Sequence, residues 1–308
     1  MMKQATLLSP FGNQQASMTS SIEDLTQINL DDLVSSFGWE STRLRAALLR
    51  RIFSRPSRKF AGQMVAYDDL VGQMGLHQAS CETLQKYYIK DLRIHGLENI
   101  PADGPVLFLS NHPGMADTIS LFAAIPRDDL RIIAIHRPFL ASLPNISKNL
   151  SYISDDAGER MRAVRQISSH LRAGGTALTF PAGKIEPDPD VHTGALDSLE
   201  NWTDSSGIFM RFAPDLQIVP VLVSGVIWER TARHWLTRIK HSRQEREKLA
   251  ASLQLLAMVV QNARPTAVHV WFGKPITRAE VDSKDLAGVH KTLMERMRCL
   301  LGLEKNGK

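Results

Sequence analysis

The sequence predicts an α/β fold: a largely parallel central sheet covered by helices on both faces, with an N-terminal helical appendage. Three observations carry this. From Leu92 onward, short apolar runs alternate with stretches of helical period, as in strand–helix–strand units. The runs are almost continuously apolar, the pattern of strands buried on both faces. From Ile28 to about Tyr88 the residues instead read as helical.

Bulk properties bound the reading. The 308 residues suffice for one large α/β domain with an appendage, and 43% hydrophobic with 22% charged residues is ordinary for a globular chain. Cys81 and Cys299 have neither metal nor redox spacing and read as two reduced thiols of a cytoplasmic protein. The amino terminus shows no basic-then-apolar leader. No run approaches the roughly 18 apolar residues that span a bilayer. With a net charge of only +5, the distribution of charge matters more than its amount.

In order along the chain, residues 1–25 are rich in Gln, Ser, Thr and Met without apolar period and read as a poorly ordered tail. Residues 26–90 read as a helical N-terminal region, with breaks at Pro56 and Gly75. Within it, Arg43–Lys59 is basic and amphipathic: Leu44, Ala47, Leu48, Ile52 and Phe53 share a face with arginines beside it. Such a segment either lies in an anionic membrane interface or packs its apolar face on the domain. Residues 91–308 read as the α/β domain. Strands are expected at 105–110, 131–135, 150–154, 175–180, 217–223 and 267–272. Helices are expected at 117–125, 157–173, 204–213, 243–262 and near 284–302. The charged run His241–Lys248 reads as the solvated first turns of the fourth of these helices. No nucleic-acid module is recognisable.

The most informative stretch is Ser110-Asn-His-Pro-Gly-Met-Ala-Asp117, which ends the apolar run Pro105–Leu109. A buried strand entering a tight turn and then a helix puts His112 at the carboxyl edge of the sheet, where ligands of open α/β sheets bind. Asp117, five residues on, can reach the imidazole Nδ1–H, fix the tautomer and stabilise the imidazolium formed when Nε2 takes a proton. The plainer reading is a His bonded within its own turn, with Asp117 as a helix cap. A second stretch, Gly174 to Pro187, runs an apolar strand into Phe180, Pro181, Gly183 and Lys184 at the same edge. There Gly183 permits close backbone approach, and Lys184 offers a point positive charge.

Asn-His-x4-Asp after an apolar strand, preceded by Leu92–Pro101, resembles the first block of the glycerol-phosphate and lysophosphatidate acyltransferase superfamily. The resemblance implies His112 as general base and Asp117 as its orienting partner, with Asn111 beside them. It spans about residues 92–228. Phe180, Pro181 and Gly183 match the third block, Phe-Pro-Glu-Gly-Thr-Arg-Ser, but Ala182, Lys184 and Ile185 replace the Glu, Thr and Arg. The second block resembles Leu150–Asp156, with Asp where an Arg is expected. Arg160, Arg162 and Arg165 follow it, and Arg137 lies upstream at the site edge. The fourth block resembles Ile218–Val221; its Pro220 lines the acyl-donor site in the family, and an edge strand explains it equally well.

The resemblance implies transfer of a fatty acyl group from acyl-CoA or acyl-carrier protein to a hydroxyl of a lipid precursor. That would take place at the inner membrane surface, with no metal or cofactor. Both family arginines for phosphate are missing or moved, so the acceptor is expected to differ from glycerol phosphate and lysophosphatidate. A non-catalytic lipid-binding scaffold and a thioesterase are the alternatives. Gly-x-Ser-x-Gly is absent, which argues against a serine esterase.

Overall fold

A computed structural model describes residues 10–36, 38, 41–154, 156–204, 206–239, 242–264, 267–281 and 286–306. The chain opens with α1 (Pro10–Ser36) and α2 (Arg43–Met74). The tail expected over residues 1–25 is therefore helical from Pro10 onward, and residues 1–9 lie outside those described. Leu25, Leu30 and Val34 are buried, and this burial supports a helix that composition alone did not indicate. Pro56 lies inside α2 and does not end it. Its ring removes the bond to the carbonyl of Ile52, but that turn is exposed and water can serve the carbonyl. Gly75, at a positive φ of 85°, does break the chain, between α2 and α3 (Leu76–Thr83). A π turn over Leu84–Tyr88 follows.

Seven strands then build one sheet: β1 (Asp91–His95), β2 (Val106–Ser110), β3 (Leu130–Ile135), β4 (Leu150–Ile153), β5 (Thr176–Thr179), β6 (Gln217–Ser224) and β7 (Ala267–Phe272). Their order is β1-β7-β6-β2-β5-β3-β4. Every pairing is parallel except β6 with β7, so β1 and β7 run against the other five. The connections carry α4 (Met115–Ala124), the short α5 (Pro138–Ala141) and α6 (Pro144–Ser147), α7 (Ala157–Arg172), α8 (Ala195–Ser198), α9 (Ser206–Phe212), α10 (Glu229–Ala232) and α11 (Arg243–Gln261). The long α12 (Leu286–Asn306) comes last.

β2 lies at the centre of this sheet, and all five of its residues are buried. Successive strand residues point to opposite faces, and β2 accordingly feeds two cores. Val106 and Phe108 pack with residues of α2, α3, α4 and α11, whereas Leu107 and Leu109 pack with residues of α7, α9 and α12. This is the doubly covered, largely parallel sheet that the apolar runs imply. β1, Asp-Leu-Arg-Ile-His, is the strand those runs do not reveal. It pairs only with β7, and its mixed polarity is that of an edge. β6, in contrast, is an internal strand, so an edge position does not account for Pro220. Among the described residues no helix is long and apolar enough to cross a membrane.

The apolar face of α2 anticipated from sequence does not pack on the domain. Leu44, Leu48 and Ile52 are 85%, 58% and 60% exposed, while Leu49 points inward. Further along, α2 is tied to the sheet's periphery by the buried Asp68. Its carboxylate accepts the backbone N–H of Ile146 (2.8 Å) and Asn145 (3.0 Å) and the Asn145 amide (3.1 Å), at the start of α6. Asp68→Ala should cost about 2–3 kcal/mol in denaturant unfolding, because buried donors lose a charged acceptor. Asp68→Asn, which keeps one acceptor oxygen, should cost less.

Candidate active site

The turn after β2 is held from three directions. Asn111 is buried, and its amide extends the β2–β6 ladder: Nδ2 donates to the carbonyl of Val223 (2.9 Å), and Oδ1 accepts the Val223 N–H (2.7 Å). The next residue, His112, is thus launched from a fixed strand end. Asp117, in the first turn of α4, is 0% exposed. Its Oδ2 accepts from His112 Nδ1 (2.9 Å) and from the Gly114 N–H (2.7 Å), and its Oδ1 from Thr118 Oγ1 (2.8 Å). The carboxylate therefore closes the turn and orients the imidazole together, which merges the helix-cap and catalytic readings of the motif. The His112 side chain remains 27% exposed, and the Phe180 ring lies 4.6 Å from it, centroid to centroid.

The third hold comes from Glu186, 74 residues away in sequence and 2% exposed. Its backbone N–H donates to the His112 carbonyl (2.8 Å), and its Oε2 accepts the His112 N–H (3.1 Å). Its Oε1 accepts from Trp202 Nε1 (2.8 Å) and Ser198 Oγ (3.1 Å). Two residues on, the fully buried Asp188 accepts the backbone N–H groups of Gly225 (3.0 Å) and Ile227 (2.7 Å). The loop after β5 is stitched through these two acids to the His112 turn and to the exit of β6.

Electrostatics follow from this geometry. Burial, the largest single influence on His112, lowers its pKa, but the charge and hydrogen bond of Asp117, joined by the charge of Glu186, raise it above the ordinary 6.5. Burial pushes Glu186 up to about 7, against the opposing bonds from Trp202, Ser198 and His112. Beside Glu186 is a cavity of about 210 Å³ whose walls include Lys184, Asp197, Ser198, Asn201 and Glu247. Lys184 Nζ donates to Asn201 Oδ1 (3.1 Å). One ammonium faces three acidic side chains there, so the Lys184 loop does not form a positive pocket.

The remaining anticipated residues fall in two groups. Phe180 touches His112, Pro181 accepts from the Thr203 N–H through its carbonyl, and Gly183 turns the loop at a φ of 62°. Arg137 is drawn elsewhere, its charge acting on Asp32 of α1. Arg160, Arg162 and Arg165 are exposed on α7, whose start is capped by Asp156. Pro220 is buried within β6, where a Cβ on Gly273 would meet its ring at 2.8 Å. From the sequence, Glu186 is a carboxylate lying near the third block's missing Glu, with no role assigned, and Asp188 is not singled out; no local spacing links either to His112.

A His bonded to a buried carboxylate at the carboxyl edge of a parallel sheet has the geometry to serve as a general base toward a hydroxyl or water. Residues 91–224, somewhat under half of the chain, match the family model described as Acyltransferase. They run from β1 through β6 and include the His112 turn and the Glu186 loop. The match agrees, over this segment, with the resemblance read from the sequence. Among solved structures, the chain is similar to the 1-acyl-sn-glycerophosphate (LPA) acyltransferase PlsC from Thermotoga maritima. Identity is 16% and TM-score 0.48, over 92% of this chain and 97% of that one. No curated protein matches the chain.

The raised proton affinity of His112 has a directional consequence. A His serving as general base works only when neutral, so with His112 in that role its NMR titration and the acid limb of activity should both have midpoints above 6.5. Asp117→Asn removes the main upward influences, so its midpoint should move down while turnover falls by on the order of 10²–10⁴-fold. An unchanged midpoint in that variant would show that Asp117 does not set the ionisation of His112.

Proposed function

We propose that the chain is an O-acyltransferase that moves a fatty acyl group from acyl-CoA or acyl-carrier protein to a hydroxyl of a lipid precursor. The observation that carries this reading is the 2.9 Å bond from His112 Nδ1 to the wholly buried Asp117, with the ring partly open to solvent, inside the segment that matches the acyltransferase family model. With Asp117 accepting the Nδ1 hydrogen, Nε2 presents its lone pair. It takes the acceptor's proton as that oxygen attacks the thioester carbonyl. Collapse of the tetrahedral adduct expels the thiolate, which takes the proton back from the imidazolium. Asp117 stabilises that cation throughout. The thioester is already activated, so the chemistry asks for no metal and no covalent enzyme intermediate. Phe180 borders the ring, and Glu186 holds its backbone.

The test uses labelled palmitoyl-CoA, a polar-lipid extract and mass spectrometry, with His112→Ala in parallel. A new acylated lipid should form with the native protein and fall by at least about 10²-fold with the variant. Free fatty acid alone, lost in the variant, would identify a thioesterase; equal turnover by both proteins would remove His112 from the mechanism.

The exposed Leu44–Leu48–Ile52 ladder supports a peripheral position on an anionic membrane, because apolar residues four apart with arginines alongside suit the interface. Replacing all three by Ser should weaken flotation with anionic vesicles by about tenfold or more. Undiminished flotation would exclude this face as the anchor.

A further inference from the structure

The segment between β6 and β7 leaves and returns at the edge of the sheet that carries His112. β6 runs parallel to β2 and ends beside it at Ser224, and β7, antiparallel, pairs His269 with Ser224 and so starts where β6 stops. Between them, α10, a turn over Trp235–Ile239 and the start of α11 enclose a cleft of about 370 Å³. Its walls include Arg233, Arg238, Arg246, His192, Thr237 and Glu247. Glu247 also lines the cavity beside Glu186, so the two adjoin.

The two cavities have opposite charge. The walls of the inner one carry Lys184 with Glu186, Asp197 and Glu247; those of the outer one carry Arg233, Arg238 and Arg246 with Glu247. Arg233 is engaged with Glu229 at 3.0 Å, but both side chains are largely exposed, and such a pair is readily exchanged for a better anion. His192, in the wall of the outer cleft, also carries a buried polar atom without a partner. His192 Nε2 has no hydrogen bond among the described residues, although the His192 N–H is fixed at 2.9 Å to the carbonyl of Asp188. Guanidinium forks match phosphate oxygens in pairs, and a cleft of this volume has room for a phosphate and part of the molecule that bears it.

We propose that this arginine cleft binds a phosphate monoester on one of the two substrates: the 3′-phosphate of a CoA donor or the phosphate of the acceptor. Naming the bearer rests on the acyl-transfer reading; the charge and the unpartnered His192 nitrogen do not. The cleft would supply the positive charge that the Lys184 loop lacks, on residues outside the acyltransferase-family segment.

Calorimetric titrations of the full chain with CoA, dephospho-CoA and glycerol 3-phosphate test this, comparing the native protein with an Arg238→Ala/Arg246→Ala variant. If the cleft holds the donor, native protein should bind CoA about tenfold tighter than dephospho-CoA, and the variant should lose that difference. If it holds the acceptor, glycerol 3-phosphate binding should fall about tenfold in the variant with CoA unaffected. Identical affinities in both proteins for all three probes, or no preference for CoA together with no binding of glycerol 3-phosphate, would overturn the proposal. Thermal melting verifies that the variant folds. An Arg238→Lys/Arg246→Lys variant, which keeps charge but loses the fork, should recover part of the affinity and serves if the first does not fold. Binding is read without turnover, so phosphate-dependent binding by a protein that transfers no acyl group would sink the acyl-transfer reading and leave the cleft standing.

Discussion

A carboxylate withdrawn completely from solvent must find its donors inside the protein, and Asp117 finds them on His112, Gly114 and Thr118. Much of the site follows from that requirement. The Gly114 bond closes the turn, the start of α4 places the acid, and the His112 bond leaves Nε2 as the ring's outward nitrogen. The turn in turn needs a rigid origin, which the Asn111–Val223 clasp supplies by continuing the sheet ladder with a side chain. Glu186 completes the frame by engaging the His112 backbone on both its N–H and its C=O. The imidazole is therefore held by its ring, its peptide group and the strand end behind it, as base catalysis from a single geometry demands.

The sheet explains why these parts meet. β2 lies between β5 and β6, so the loops leaving all three parallel strands emerge at one edge. Glu186 and Asp188 then bind the β5 loop to the other two. Two buried acids in three residues would be costly if unpaired, and each is saturated by backbone or indole N–H donors.

Much of this was legible in the sequence. Of the six strands found by their apolar runs, β2, β5, β6 and β7 are largely buried, and burial is what an apolar run reports; β1 escaped because its polar residues alternate with apolar ones at an exposed edge. The His112–Asp117 pair was legible because its partners are five residues apart on a strand–turn–helix, a distance over which local geometry is nearly fixed. Glu186 was visible but had no role, since its bond to His112 depends on two loops brought together by the sheet. Pro56 and the N-terminal tail misled for a related reason: exposure of one helix turn and burial of Leu25, Leu30 and Val34 are tertiary facts. Arg137 illustrates the same limit, since its strand ends at the right edge but its charge acts on Asp32 of α1. The antiparallel setting of β7 was equally hidden, because a long helix between two strands serves a reversal as well as a crossover.

That reversal separates two tasks along the chain. The acids and the imidazole of the candidate site belong to residues 110–188, while the excursion of residues 225–266 starts and finishes at the same rim without supplying a strand to the parallel core. Its exposed positions can vary without disturbing the ladder beneath, whereas Val226, Ile227, Met258 and Val259, packed in the core, and the N–H groups of Gly225 and Ile227, bound to Asp188, cannot. A lineage of such chains can therefore rewrite the outer rim of one hairpin of helices and keep the frame around His112 as its inheritance.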